Sequence, residues 1–271
     1  MNQLEAKKYI RRIRQRVLKM AYECGENVHI GGALSMLDIL SVLYKEFLRF
    51  KPMEPDWQER DRFVLSKGHC VMALYAVLAD CGFIEESMLD TFQKDESDLG
   101  SHPVMNIPIG IESSNGSLGQ GVSMAVGIAK AAKIKKQKYR VYTLIGNGES
   151  NEGAVWEAAM LAAAWKLDNL TIILDNNQMQ SDGESIEVLD MGNLKEKWTS
   201  FGFTVLEIDG HDYDQIYHAF TSAALGCPKI IIANTIKGHG VSFMEGKKEW
   251  HHNRLTQDKY LLALSQLEEN V

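Results

Sequence analysis

The sequence predicts an α/β fold, a parallel sheet with helices on both faces, in a single domain over residues 1–271. Three observations carry that expectation. Short apolar runs rich in aliphatic residues alternate along the chain with Ala-rich stretches of helical period. The runs are apolar nearly throughout, as strands covered on both faces are. Clusters of glycine and asparagine fall where the runs end, which is the edge at which an open parallel sheet binds ligands.

The elements follow in order. Leu4 to Ala21 carries Ile10, Ile13, Val17 and Met20 at helical spacing with basic residues between them. That pattern needs only one packed face, which favours a docking or surface helix over an amphipathic helix on a membrane. Cys24 to Gly32 interrupts it, and Gly31-Gly32 predicts a turn before a second apolar helix, Ser35 to Phe47, with Pro52 and Pro55 in the loop beyond. Phe63 to His69 reads as a short strand running into a glycine turn, followed by a helix over Ala73 to Ala79. Ser97 to Gly121 has too much turn chemistry for either regular period. Behind it Val122 to Lys133 is helical, so Leu118-Gly119-Gln120-Gly121 stands at a helix N-terminus, whose unpaired N–H groups suit an anion. Arg140 to Ile145 is a strand ending at Gly146-Asn147-Gly148, Gly153 to Leu167 a helix, and Leu170 to Leu174 a strand ending at Asp175-Asn176-Asn177. Together they make one right-handed βαβ unit. Two further strands, Thr204 to Ile208 and Lys229 to Asn234, flank a helix over Tyr213 to Leu225.

Composition narrows the function. With 36 acidic and 29 basic side chains the formal net charge is −7, which argues against a nucleic-acid surface. No stretch approaches 18 uncharged apolar residues, so no membrane span is expected. Cys24, Cys70, Cys81 and Cys227 lie far apart without a C-x-x-C pair and read as reduced thiols of a cytoplasmic protein.

Chemistry is expected at the strand ends. Asn147 and Asn177 follow neighbouring strands, and their amide oxygens, with the main-chain oxygen of Met179, can hold Mg²⁺ together with phosphate oxygens. Both asparagines also fit the plainer role of turn residues bonding their own backbone. Gly146 and Gly148 allow a ligand close to the backbone, but the pattern is neither G-x-G-x-x-G nor a Walker loop. His29, His69, His102, His239 and His251 sit in or beside glycine-rich or turn-forming loops, where imidazoles can neutralise phosphate or move protons near neutral pH. The H-x-x-H and H-E-x-x-H spacings of metal-binding histidines are absent. Glu149 and Glu152 are explained by the electrostatics of a helix start. Glu157 has apolar neighbours at helical spacing in Ala154, Met160 and Leu161, so if buried it needs a partner or a proton.

In this arrangement the sequence resembles the thiamine-diphosphate domain of transketolases, and more closely the N-terminal subunit of a split transketolase, over essentially the whole chain. The most specific element is Gly146-Asn147-Gly148-Glu149 through Asp175-Asn176-Asn177, similar to the family's diphosphate and metal motif. Five further pieces match in order: Gly25 to Gly32, Ser66-Lys67-Gly68-His69, Gly100-Ser101-His102-Pro103, Ser117 to Gly121, and Lys237 to Glu245 leading to Trp250-His251.

The resemblance implies thiamine diphosphate and Mg²⁺ or another divalent cation as cofactors. Asn147, Asn177 and Met179 would hold the ion. His69, Ser117, Leu118, Gly119, Gly146, Gly148, Glu149, Asn177 and His251 would surround the cofactor. His29, His102 and His251 would be the catalytic histidines, and Glu152 and Glu157 would join an acidic network across a subunit interface. It implies transfer of a two-carbon ketol unit from a ketose or ketose phosphate to an aldose or aldose phosphate, pentose phosphates being the default sugars. The partner would be a separate C-terminal transketolase subunit with the pyrimidine-binding and third domains, in an α2β2 assembly. Three positions depart from the family: Asn147 replaces an aspartate, His239 a lysine and His252 a glycine. A deoxyxylulose-phosphate synthase or a 2-oxo acid dehydrogenase subunit would share the metal motif without needing all of His29, His69, His102 and His251. A non-catalytic regulatory homologue is the other rival, for which Asn147 speaks.

Overall fold

Five strands, β1 (Arg62–Leu65), β2 (Val141–Gly146), β3 (Leu170–Asn176), β4 (Thr204–Asp209) and β5 (Lys229–Asn234), pair in parallel in the order β1-β2-β3-β5-β4. The computed structural model describes residues 1–224 and 226–269. Helices α1 (Gln3–Cys24), α2 (Gly31–Ser35), α3 (Leu37–Val42) and α4 (Val71–Asp80) surround β1 in sequence. Next come α5 (Gln120–Ile134), α6 (Gly153–Ala164), α7 (Ser185–Leu189), α8 (Leu194–Ser200), α9 (Tyr213–Thr221) and α10 (Gln257–Glu269).

Residue parity along the strands divides the core in two. Phe63, Leu65, Tyr142, Leu144, Ile173 and Ile231 join the buried residues of α1, α3, α4 and α9 on one face. Val64, Val141, Ile145, Ile172, Ile230 and Ile232 join those of α5 and α6, with Trp198 of α8, on the other. Successive strand side chains point to opposite faces, so an uninterrupted apolar run serves both layers. Each such side chain taken fully out of water contributes about 1.5–3 kcal/mol before conformational entropy is counted. The α/β expectation with helices on both faces is met.

The apolar stripe of α1, including Ile10, Ile13, Val17 and Met20, is buried against protein, which accounts for its amphipathicity without a membrane. Among the described residues no helix is long and apolar enough to cross one. An Asn2–Glu5 capping box starts this helix.

Five local expectations are corrected. Gly31 and Gly32 form the first turn of α2 rather than a preceding loop; a Cβ on Gly31 would lie 2.7 Å from the Trp250 carbonyl oxygen, and one on Gly32 2.7 Å from the Cys70 sulfur. Close packing, not turning, requires these glycines. The helix expected over Ser35 to Phe47 is divided at Met36 and ends in a π-helical turn, Leu43–Phe47. Helix α6 stops at Ala164 rather than Leu167, because Lys166 takes a left-handed φ of 51°. Strand β3 runs on through Asp175 and Asn176, and α9 ends at Thr221; its expected end, Leu225, lies outside the described residues.

Candidate active site

Strands β2 and β3 are neighbours in register, Gly146 opposite Asp175, so the loops after them open into one cleft of about 400 Å³. Asn147, Asn177 and Met179 line it together with His29, His69 and His251. Gly146, Gly148, Glu149, Leu118 and Glu152 complete the expected residues in its wall. His102 is half-buried, its ring 5.9 Å from that of His29. Ser117 and Gly119 are outside the lining, and His239 lies elsewhere, stacked on His211 at 3.5 Å.

The two asparagines are oriented by their neighbours. The Asn177 Nδ2 donates to the Asp175 carboxylate at 2.9 Å, which can only accept, so Oδ1 is the atom left for a cation; it takes one bond, from the Met179 amide, at 3.1 Å. Asn147 Nδ2 donates to the Ser185 hydroxyl, leaving its own oxygen for the same use. Asp175 itself is spent: it lies at 0 % exposure, bonded to Lys67, Ser35, Thr235 and Asn177. The lining thus offers amide oxygens, and a divalent ion held by them needs the negative charge of a diphosphate to complete its site.

The anion itself is well provided for. Lys237 is buried with Nζ 2.9 Å from the Gln180 carbonyl oxygen and 3.0 Å from His251 Nδ1; burial brings its pKa down to about 8, so it remains mostly protonated near neutral pH. Gln180, also in the wall, has a buried Nε2 without a partner among the described residues. Burial, with nearby imidazoles and lysines, lowers His29 to about 3, His69 to about 2 and His251 to about 4. Burial also lowers His102. All four are neutral bases near neutral pH, able to accept a proton or share one by hydrogen bond.

Two expectations change on geometry. The N-terminus of α5 is capped from within: the Gly119 amide donates to Glu149 Oε1 at 2.8 Å and the Val122 amide to Ser66 Oγ at 3.1 Å, so those groups are not free for an anion. Glu149 also accepts from Ser66 Oγ and the Gly146 amide, and it braces three loops with its carboxylate turned to protein donors. Burial raises its pKa against the pull of those bonds. Glu157 is exposed, beside Met160 and Leu161 at 55 % and 46 % exposure, because no described residue covers that face of α6.

Sequence reasoning did not single out Lys67, Asp175, Lys237 or Gln180 as individual site residues. Lys67 and Lys237 each stand directly before a Gly-His pair, in Lys67-Gly68-His69 and Lys237-Gly238-His239, which was the available signal. His252, one of the family departures, stands with its ring 4.5 Å from that of His29.

Comparison with known proteins identifies the family. Residues 6–267 match the family described as "Transketolase, thiamine diphosphate binding domain". The chain is 42% identical over 260 residues to one of the subunits of the apulose-4-phosphate transketolase of Phocaeicola vulgatus, covering 95% of this chain and 92% of that protein. It is 45% identical over 242 residues to a 6-deoxy-6-sulfo-D-fructose transketolase subunit from a Clostridium species, covering 89% and 88%. Among solved structures, the transketolase of Campylobacter jejuni superposes with a TM-score of 0.91 at 32% identity, over 100% of this chain and 44% of that one. The chain therefore spans less than half the length of the solved transketolase while matching most of each subunit relative.

Proposed function

The chain belongs to the transketolase thiamine diphosphate-binding family, and from that premise we propose that it is the diphosphate-holding subunit of a two-chain transketolase. It transfers a two-carbon ketol unit from a ketose donor, free or phosphorylated, to an aldose acceptor. The observation that carries this is one cleft, at the ends of β2 and β3, lined by Asn147 and Asn177 together with His29, His69 and His251.

The residues present fit the cofactor. The amide oxygens of Asn147 and Asn177, with the Met179 carbonyl, would hold a divalent cation, magnesium being the best match to all-oxygen ligands. Lys237 and His69 would lie toward the diphosphate. Once bound, thiamine diphosphate supplies the electron sink for breaking the bond beside a ketose carbonyl. His29, His102 and His251, held neutral chiefly by burial, would accept and return protons at the sugar hydroxyls.

The names of the subunit relatives imply a second polypeptide, and we assign to it the pyrimidine-binding and third domains, in an α2β2 assembly that closes with two-fold symmetry. The four free thiols suit a reducing cytoplasmic setting. The subunit relatives favour transketolase chemistry over both rival readings. The test is donor cleavage by the purified chain, alone and with the partner added, with mass followed in parallel. Activity confined to the mixture and rising with the heavier species is expected. Full turnover by this chain alone would overturn the two-chain reading.

A further inference from the structure

A second, larger cleft of about 550 Å³ lies on the other side of the 236–240 loop from the cofactor cleft. The loop is shared: Lys237 lines the cofactor cleft, while His239 and Gly240 line this one. Nothing in the proposed reaction uses its residues.

Its most conspicuous cluster, Asp38, His211 and His239, brings three potential ligand atoms within 4.8 Å of one another, as a cation site would. The hydrogen bonds refuse a cation. Arg14 donates to Asp38 Oδ2 at 2.7 Å, and His211 Nδ1 lies 3.2 Å from the same oxygen. The other ring nitrogen of His211 accepts the Ile236 amide at 2.9 Å, so Nδ1 carries the hydrogen and points it at Asp38. Both His211 nitrogens are therefore committed, and the Asp38 oxygen nearest them already accepts from the Arg14 guanidinium. Although burial opposes its charge, the Arg14 guanidinium holds the Asp38 carboxyl down at about 2, so this pair stays ionised and internally neutral.

The remaining charge in the cleft is positive. Lys7, Arg11 and Arg14 recur at i, i+4 and i+7 on one face of α1, and Lys8 stands beside them, all four lining the cleft. Against them stand Asp38, already paired, and Glu245, whose Oε1 accepts the Gly240 amide at 2.9 Å. Four permanent cations against two carboxylates leave two positive charges in excess. Arg14 is the built part of the wall: its side chain is 8 % exposed, and its Nε has no partner among the described residues. Lys7, Lys8 and Arg11 make no ion pair among the described residues. Carboxylate and phosphate match such a constellation, arginine forks in particular. The volume is that of a small-metabolite site.

We propose that this cleft binds a small dianion, a phosphate monoester or a dicarboxylate, through Lys8, Arg11 and Arg14, at a site separate from the cofactor cleft.

The test uses the two-chain enzyme saturated with thiamine diphosphate, so that the cofactor cleft is filled. Equilibrium dialysis against radiolabelled inorganic phosphate, and separately against radiolabelled succinate, measures occupancy per chain. Saturable binding of at least one anion at one site per chain is expected, phosphate alone marking a phosphate site and succinate a carboxylate site. Arg11→Ala and Lys8→Ala, at a half-buried and an exposed position of α1, should each weaken it about tenfold or more, the range lost with one charge-assisted hydrogen bond. Lys94→Ala, outside the cleft, should leave it unchanged. No saturable binding of either anion, or equal weakening by Lys94→Ala, would overturn the proposal. So would stoichiometric Zn²⁺ uptake that His239→Ala abolishes.

Discussion

Lys67 and Asp175 form an ion pair 2.5 Å long under the floor of the cofactor cleft, with side-chain exposures of 2 % and 0 %. The pair comes from the ends of two strands that are not adjacent, β1 and β3, with β2 between them. Lys67 also donates to the Gly32 carbonyl at 3.0 Å, while Asp175 holds Asn177 and Ser35. Burial works against both charges, but mutual attraction dominates: the lysine pKa is raised and the aspartate pKa lowered.

Removing one partner strands a buried charge. Asp175→Asn or Lys67→Met should therefore destabilise the chain by about 3–5 kcal/mol, whereas exchanging both for apolar residues of similar volume should cost much less. Denaturant unfolding of the three variants measures this. The pH dependence has two edges. The lowered Asp175 pKa contributes stability above its unfolded value of 3.8 that is lost as pH falls through the folded value. The raised Lys67 pKa contributes stability below its unfolded value of 10.5 that is lost as pH rises through the folded value. A double variant should show neither edge.

This pair also marks how far the sequence can be read. The sheet was legible because β1 to β5 are apolar runs, and the cleft because Gly146-Asn147-Gly148 and Asn177 stand at two such ends. Asp175 stands where the apolar run ends in sequence, yet it continues β3 as a buried carboxylate, which is costly without a cation. The compensating lysine is 108 positions away, and no local period reveals it. The same limit hid the break at Met36, where the two short helices bring Ser35 to 2.7 Å from Asp175. Periodicity reports the neighbours along one element, whereas these residues are chosen for partners across three.

The neutral histidines predict acid sensitivity above the carboxylate range. His29, His69 and His251 have folded values of about 3, 2 and 4 against 6.5 in the unfolded chain. As pH falls below 6.5 the unfolded chain takes up protons that the folded chain refuses, so stability falls progressively through that window. Thermal unfolding from neutral pH down to about pH 4.5 should show a slope that His69→Gln reduces, with the wild-type and variant curves converging above the unfolded histidine value of about 6.5 in their pH dependence. An unchanged slope in the variant would mean that His69 titrates freely.

Divalent-cation binding should depend on the diphosphate. Asn147 and Asn177 bring no formal charge, and Asp175 is tied to Lys67. Calorimetry should detect Mg²⁺ uptake with thiamine diphosphate present and little without it. Asn147→Asp adds a charged oxygen at constant length, and the Ser185 hydroxyl can turn to donate to it. The variant should bind Mg²⁺ about tenfold tighter in the presence of the cofactor, as hard cations respond to ligand charge. Unchanged affinity would remove Asn147 from the ligand set.

We propose that the partner docks on the exposed face of α6. Glu157 lies there with Met160 and Leu161, three side chains from one helix whose opposite face, Val155, Ala158, Ala159 and Ala162, is fully packed against the sheet layer. A charge placed at Leu161 therefore meets water in the free chain and should leave its unfolding midpoint within about 0.5 kcal/mol of the wild type. In the two-chain assembly the same charge would enter an apolar contact, where an unpaired carboxylate is strongly disfavoured. Leu161→Glu should accordingly weaken association with the partner, measured by analytical ultracentrifugation, and lower ketol-transfer activity in a way that excess partner restores. Glu157→Gln separates charge from packing: if the carboxylate joins an acidic network across the interface, it should alter the pH dependence of activity while association persists. If Leu161→Glu assembles as the wild type does, the partner sits elsewhere and α6 is simply an apolar-studded surface helix.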